Sequence, residues 1–360
     1  MSCQVLSAAR RFLSPTARPQ LEPLGRGLIN DTYRVIEGNT SWVLQRINRQ
    51  VFPDPPAIMV NLRRVTEHAR LARKGCPETR WRLPELIPTW EGADYHEDAA
   101  GDCWRAMTYI EDTLGLPAIA EPGQAEQVGR ALGWFHRLMS ELPADDLHDT
   151  LPGFHVTPGY LATFDATLAR CSDQVRTPEL EEALIFVERR RDRAAVLENA
   201  KAEGRLALRV IHGDPKLDNV LFDRRTGEAV SLIDLDTVKP GLIHYDLGDC
   251  ARSSCNRARE CSHPDAACFD LDLFRALLRG YGREAGGCLT GEDREYLYDA
   301  VCLLPFELGL RFLNDHLAGD VYFKVSEPGQ NLRRALGQFR LAHSIESQER
   351  EIRAALAALP

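Results

Sequence analysis

The stretch "IHGDPKLDNV" at residues 211–220 gathers His212, Asp214, Lys216 and Asn219 into ten positions. Twenty residues after Asp214 comes Asp234, then Asp236, inside the apolar run "LIDLDTV". The apolar segment "LALRVI" reads as a short strand that ends in a loop carrying Asp214. Asn219 stands just before "VLF", and the polar turn "DRRTGE" separates that run from "AVSLIDLD". Two antiparallel strands joined by this turn would set Asn219 beside Asp234. An amide oxygen and a carboxylate aimed at one point are hard donors, suited to a Mg²⁺ ion that keeps waters and binds phosphates. Asp214 is then placed to orient a hydroxyl and accept its proton, and Lys216 to neutralise charge on a moving phosphoryl group. Turn capping by Asp214 and Asn219 alone would leave the second acidic site without a purpose. His212 reads as a brace for the loop rather than as an acid–base group.

Positioning these groups needs a scaffold, and the 360 residues are enough for two lobes with cores of their own. Residues 19–50 read as three strands, "QLEPL", "DTYRVIEG" and "SWVLQRIN". Ile58, Leu62, Val65, Ala69 and Ala72 recur at helical spacing over 57–74. "LPELIPTWEG" and "CWRAMTYI" read as two more strands around a polar tip, which closes a small lobe at residue 113. "EDTLGLPAIAEPG" is a connector, and from there to residue 360 the pattern is mostly helical: 122–142, 158–170, 178–202, 269–285, 290–313 and 329–358. The exception is the three-strand island 206–239. The fold class expected is α+β, with a small β-rich lobe (1–113) and a larger, mainly helical lobe (114–360). On the last helix, Leu332, Leu336, Phe339, Ile345 and Ile352 form a stripe suited to core packing or to a partner, so a monomer or weak homodimer is expected.

Composition narrows the partners. Net charge is −9 and pI about 5.7, which disfavours a broad nucleic-acid surface. No run reaches membrane-span length. Ten cysteines without a C-x-x-C pair fit reduced thiols, and a cytoplasmic location is expected. The cluster Cys250, Cys255, Cys261, His263 and Cys268 lacks a known zinc spacing, and free thiols are the simpler reading. The acid-free N-terminus, "MSCQVLSAARRFLSPTARPQ", has the composition of a transit peptide. The helical spacing of Val5, Leu6, Ala9, Phe12 and Leu13 favours an amphipathic first helix.

The small lobe should hold the nucleotide. "LGRGLIND" supplies Gly25 and Gly27, whose N–H groups can approach phosphates, with Asn30 in the same turn. "MTYIED" ends the lobe and offers the backbone of Tyr109 and Ile110 to an adenine edge. Glu67 on the first long helix either holds a cation of the lobe or is solvated.

"VIHGDPKLDNVLFD" with "SLIDLDTVKPGLIHYDLGD" resembles the aminoglycoside phosphotransferase and choline kinase superfamily, relatives of protein kinases. "PLGRGLINDTYRV", "WVLQRINRQVFPD", "DLGDCARS" and "LGLRFLNDHLAGDVYF" are most similar to its N-acetylhexosamine 1-kinase branch, over residues 20 to 340. That resemblance implies ATP and Mg²⁺ as cofactors and an amino sugar phosphorylated at its anomeric hydroxyl. It implies Asp214 as catalytic base, Asn219 and Asp234 on the metal, and Asp236 as a further metal-shell or structural carboxylate. It also implies sugar contacts from Arg311 and Tyr322; without it, Arg311 reads as helix surface and Tyr322 as core. One departure stands out. The third strand of such lobes usually ends in a phosphate-binding cation. Here Gln45 holds that position in the nucleotide set, and the period-2 rule sends Arg46 to the opposite face. Other acceptors of the same fold remain open: another sugar, an aminoglycoside, choline or homoserine. Asp246 and Asp249 either brace the loop or form an acidic pocket for a cation. A nucleotide-binding pseudokinase is the non-enzymatic alternative.

Overall fold

The computed structural model describes residues 3–13, 18–25, 29–73, 80–171, 177–258 and 264–359. Helix α1 (Cys3–Ala9) opens the chain. Strands β1 (Gln20–Pro23), β2 (Asp31–Glu37) and β3 (Thr40–Ile47) follow, then α2 (Pro55–Arg73). Strands β4 (Leu86–Ile87), β5 (His96–Glu97) and β6 (Cys103–Thr108) complete an antiparallel sheet in the order β1-β2-β3-β6-β4, with β5 also on β6. The run "LPELIPTWEG" thus contributes only two strand residues, because Pro84 and Pro88 flank them and cannot donate to a ladder.

Alternation sorts this sheet into two faces. Trp42, Leu44 and Trp104 point outward and pack with Val5, Ala8, Ala9, Phe12 and Leu13 in one apolar cluster. The N-terminal segment is therefore an amphipathic helix seated on the sheet, and Trp90 donates its indole N–H to the Leu13 carbonyl. Arg46 shares that outer face, as period 2 requires, and pairs with Asp31 and with Asp102 at 3.1 Å. The opposite face carries Gln45 and Arg105, directly paired across β3 and β6.

The second part begins with β7 (Thr113–Gly115), α3 (Pro122–Met139), α4 (Thr157–Arg170), α5 (Pro178–Glu188) and α6 (Val196–Ala202). Strands β8 (Arg209–Ile211), β9 (Val220–Asp223), β10 (Ala229–Leu232) and β11 (Lys239–Gly241) come next. Helices α7 (Ile243–Ser254), α8 (Leu271–Ala285), α9 (Gly291–Leu317), α10 (Gln330–Ser347) and α11 (Glu349–Ala357) finish the chain. The connector after residue 112 is not all loop: β7 adds to β9 beside β10. The expected helix 178–202 breaks after Glu188, where Arg189–Arg191 interrupt the stripe of Leu180, Ala183 and Val187. Arg190 there binds Glu346 at 2.5 Å. The expected helix 329–358 breaks at Gln348, whose amide donates to the Phe269 and Ser344 carbonyls. Its apolar stripe packs within the main core of this chain.

Helix α7 is absent from the sequence expectation for a physical reason. Half of its residues are polar, among them His244, Asp246, Asp249 and Arg252, so the segment reads as solvated loop, yet nearly every one of them is buried. Helices α3 and α8 approach so closely that a Cβ on Gly280 would lie 1.9 Å from the Glu126 carbonyl oxygen. That contact sets His136 on α3 and Tyr281 on α8 at the floor of the site.

Candidate active site

The loop 212–214 leaves β8 and is held from several sides. Gly213 has φ +84°, and a Cβ there would come within 2.6 Å of the Thr237 carbonyl oxygen, so the turn requires glycine. Asp246 on α7, fully buried, accepts from the His212 N–H at 2.7 Å and the Gly213 N–H at 2.8 Å. Burial works against its charge, but His136 at 2.9 Å and the loop N–H groups hold its pKa below the ordinary range. His155 donates from Nε2 to the Gly213 carbonyl at 2.7 Å and from Nδ1 to Glu307 at 2.9 Å. Both partners only accept, so the ring is an imidazolium. Burial lowers its pKa, and Glu307 more than offsets this, leaving it raised. Its share of stability is therefore complete below the unfolded histidine value of about 6.5 and is lost as pH rises toward the folded value. In urea unfolding, the stability advantage of the wild type over His155→Gln should shrink as pH is raised above about 6.5.

His212 is a brace, as expected. Its Nδ1 accepts the Asp214 N–H at 3.3 Å and its Nε2 donates to the Ile233 carbonyl at 3.1 Å. This neutral tautomer suits a ring whose pKa is lowered by burial. It also ties Asp214 to the residue before Asp234. Strands β9 and β10 pair Val220 with Leu232, and the Ile233 N–H reaches the Asn219 carbonyl at 2.9 Å, so Asn219 and Asp234 become neighbours.

Lys216 Nζ lies 2.5 Å from Asp214 Oδ2. Burial depresses the lysine, but Asp214, Asp234 and Asp249 raise its pKa on balance, so it is charged. Asn219 turns its Nδ2 to the Asp214 carbonyl at 2.7 Å and the carboxylate at 3.2 Å, which leaves Oδ1 uncommitted among the described residues. Asp234 has φ +65° and is exposed to solvent. Burial and the charge of Asp236 push its carboxyl up to about 7.

Asp236 is 2% exposed and faces the small lobe. Its Oδ2 accepts from Asn30 at 2.7 Å, and its Oδ1 is ion-paired with Arg105. Arg105 Nε donates to Gln45 Oε1 at 3.1 Å, and Gln45 Nε2 donates to Thr32 Oγ1 at 3.0 Å. The structure thus brings Asn30 and Gln45 to the site through Arg105 and Asp236. Gly25 has φ +76° at the start of the same turn, and Gly27 lies outside the described residues. The Ile110 carbonyl accepts from Thr113 Oγ1 at 2.7 Å, and the Tyr109 ring lies under Arg34. Glu67 is solvated, 3.7 Å from Arg70. Buried Asn61 connects α2 to the site instead, donating to the Val238 and His148 carbonyls.

The residue set fits Mg²⁺. Among the described residues, no three His, Cys, Asp or Glu side chains form a metal cage. Mg²⁺ bound to phosphates needs only one or two protein carboxylates. The uncommitted amide oxygen of Asn219 and the solvent-facing carboxyl of Asp234, set side by side by the β9–β10 register, are such a donor pair. In the cysteine cluster, Cys250 and Cys255 are buried thiols whose pKa values burial raises, and Cys268 is an exposed free thiol. Cys261 and His263 lie outside the described residues.

On the far side of Asp214 stands Arg311, among the rings of Tyr160 (5.1 Å), Phe154 (5.2 Å), Phe323 (5.5 Å) and Tyr322 (6.0 Å). Burial opposes its charge, but Tyr160, Glu307, Tyr322 and Asp214 hold its pKa above the ordinary value. Tyr160 itself is pushed up to about 12 by burial. Tyr322 is not core: it is 46% exposed. Its loop hangs on buried Asp315, which accepts from the N–H groups of Val321, Tyr322 and Phe323 at 2.8–3.0 Å.

Sequence reasoning missed Arg105, His155, Glu307 and Asp315. A lone arginine on the inward register of the apolar strand "CWRAMTYI" was a readable signal, because a buried charge demands a partner. His155 and Glu307 carry no local signal, since each meets partners remote in sequence, and Asp315 caps a loop only six to eight residues further on.

An antiparallel N-terminal sheet over a helical second part, with this loop at their junction, is a protein-kinase-like fold. The chain belongs to the phosphotransferase enzyme family (APH), whose model matches residues 20–289. It is therefore a phosphotransferase. The fold is similar to an aminoglycoside phosphotransferase from Alicyclobacillus acidocaldarius (TM-score 0.64, 16% identity, covering 100% of this chain and 95% of that one). It is similar to a choline kinase from Cryptosporidium parvum (TM-score 0.60, 12% identity, 99% of each chain). A spectinomycin phosphotransferase in complex with ADP and spectinomycin aligns at TM-score 0.56 and 12% identity, over 96% of this chain and 99% of that one. No helix among the described residues is long and apolar enough to cross a membrane.

Proposed function

We propose that this chain is an ATP-dependent kinase that phosphorylates the anomeric hydroxyl of an N-acetylhexosamine. In this reading, residues 1–113 hold the nucleotide and residues 114–360 hold the acceptor. The observation that carries the acceptor class is Arg311, seated in an aromatic box beside Asp214. An empty box of this kind would suit a quaternary ammonium. Here the chain's own guanidinium fills it and repels a cationic acceptor. Its N–H groups favour carbonyl and hydroxyl oxygens, and flanking rings favour the apolar face of a sugar. The acidic pocket alternative finds little support, since Asp246 is spent on the catalytic loop and Asp249 is buried against Arg252 at 2.8 Å.

The residues act as follows. Asp214, fixed by His212 and its loop, orients the acceptor hydroxyl and takes its proton as the oxygen attacks the γ-phosphorus in line. Lys216, ion-paired with Asp214, places positive charge near the transferring group. Asn219 and Asp234 would hold Mg²⁺, and Asp236 supports that site from behind. When bound, the metal neutralises charge on the β- and γ-oxygens. Arg311→Met should raise KM for the sugar about 10- to 100-fold, the worth of one or more hydrogen bonds from a charged donor, with KM for ATP unchanged.

A coupled assay of ADP release over a panel of N-acetylhexosamines, hexoses, an aminoglycoside, choline and homoserine tests the reading. Turnover highest with an N-acetylhexosamine is expected; turnover highest with a cationic acceptor would overturn it.

A further inference from the structure

We propose that Arg105 is the side chain that receives the nucleotide phosphates in this protein, a cation moved from β3 to the neighbouring strand β6. The inference rests on the kinase reading above. Kinase-like lobes carry their phosphate-binding lysine on the third strand. On β3 that position is the neutral Gln45, and its direct cross-strand partner on β6 is Arg105. Side chains of such a pair leave the same face, so the charge is displaced by one strand spacing, about 5 Å, without changing the face it serves.

The surroundings of Arg105 are those of a binding group. Its side chain is 1% exposed. Nη2 is ion-paired with Asp236, and Nε donates to Gln45 Oε1 at 3.1 Å. Nη1 is buried and has no hydrogen-bond partner among the described residues. A buried guanidinium with unmade hydrogen bonds is costly, and phosphate oxygens match its planar fork closely. Asn30, in the turn that carries Gly25, converges on the same Asp236. A purely structural strut would account for the Asp236 pair but not for the unpartnered Nη1. The arrangement also gives Gln45 a purpose. Thr32 fixes its amide at 3.0 Å so that the oxygen faces Arg105 and orients the guanidinium.

The test is calorimetric titration of the full chain with ADP and with adenosine in the presence of Mg²⁺. Arg105→Gln should lower ADP affinity about 10- to 100-fold, as loss of charge-assisted hydrogen bonds does, with adenosine affinity unchanged. Adding Gln45→Lys to that variant restores the cation on β3 and should recover most of the lost affinity. ADP affinity within twofold of wild type in Arg105→Gln would overturn the inference, and so would equal losses for ADP and adenosine. If Arg105→Gln does not fold, Arg105→Lys carries the test: weaker ADP binding at constant adenosine affinity supports the proposal, and unchanged ADP binding overturns it. A wild type that binds no ADP would overturn the kinase reading together with this inference. A wild type that binds ADP beside insensitive Arg105 variants overturns this inference alone.

Discussion

Asp214→Asn should lower kcat by about a thousandfold, in the range expected when a positioned general base is lost. The substitution keeps the shape of the side chain, and the backbone contacts of the loop to Asp246, His155 and His212 do not involve the carboxylate. ADP affinity and the midpoint of thermal unfolding should therefore stay close to wild type. The informative comparison is the ratio of kcat to nucleotide Kd. Loss of both together would mean that the loop had collapsed. Near-normal kcat would mean that another group takes the proton.

The second large effect is expected at Asp246, which touches no reacting atom. It receives two backbone N–H groups from the catalytic loop and the ring of His136, all in a fully buried setting. Asp246→Ala leaves those donors without acceptors. Breaking a buried pair of this kind costs about 3–5 kcal/mol. Urea unfolding should show that loss in the midpoint. Turnover should also fall in whatever fraction remains folded, because Asp214 is then free to wander by more than the fraction of an ångström that in-line attack tolerates. Tyr281→Phe, which removes only the distal hydroxyl of the same chain of bonds, should cost far less. A stable and active Asp246→Ala would contradict the clamp.

These two residues also show how much of the protein could be read from its sequence. The convergence of Asp214, Asn219 and Asp234 was legible because these residues sit on adjacent strand ends, where chain order and spatial order coincide. The faces of β3 were legible for the same reason: period 2 alone put Arg46 outside and Gln45 inside. The clamps were not. The polar residues of helix α7 read as a solvated surface, so the depth at which Asp246 is buried was invisible. Glu307 sits inside α9 and meets His155 from 152 positions away, with nothing local to mark either. The breaks at Arg189 and Gln348 follow from side chains that bind remote partners, Glu346 and Phe269. Tyr322 reads as core by composition, and only the anchoring of its loop on Asp315 leaves it exposed beside Arg311.

Arg105 marks the sharpest difference between pattern and structure. Gln45 at the usual position of a cation left the charge of the nucleotide site unaccounted for, with Mg²⁺ and Lys216 as the remaining sources. The register of β3 against β6 supplies a buried guanidinium at the same face. A one-strand displacement of this kind cannot be seen in either strand alone, because it depends on which residues the register sets opposite each other.

The central claim is that Asp214 and Arg311 together direct phosphoryl transfer to a sugar's anomeric oxygen. Phosphorus NMR of the product formed from N-acetylglucosamine or N-acetylgalactosamine, ATP and Mg²⁺ tests it most directly. The account predicts a new phosphomonoester signal coupled to the anomeric proton. A phosphoester on any other sugar oxygen, or ATP left intact with both sugars while choline or an aminoglycoside is phosphorylated, would contradict it.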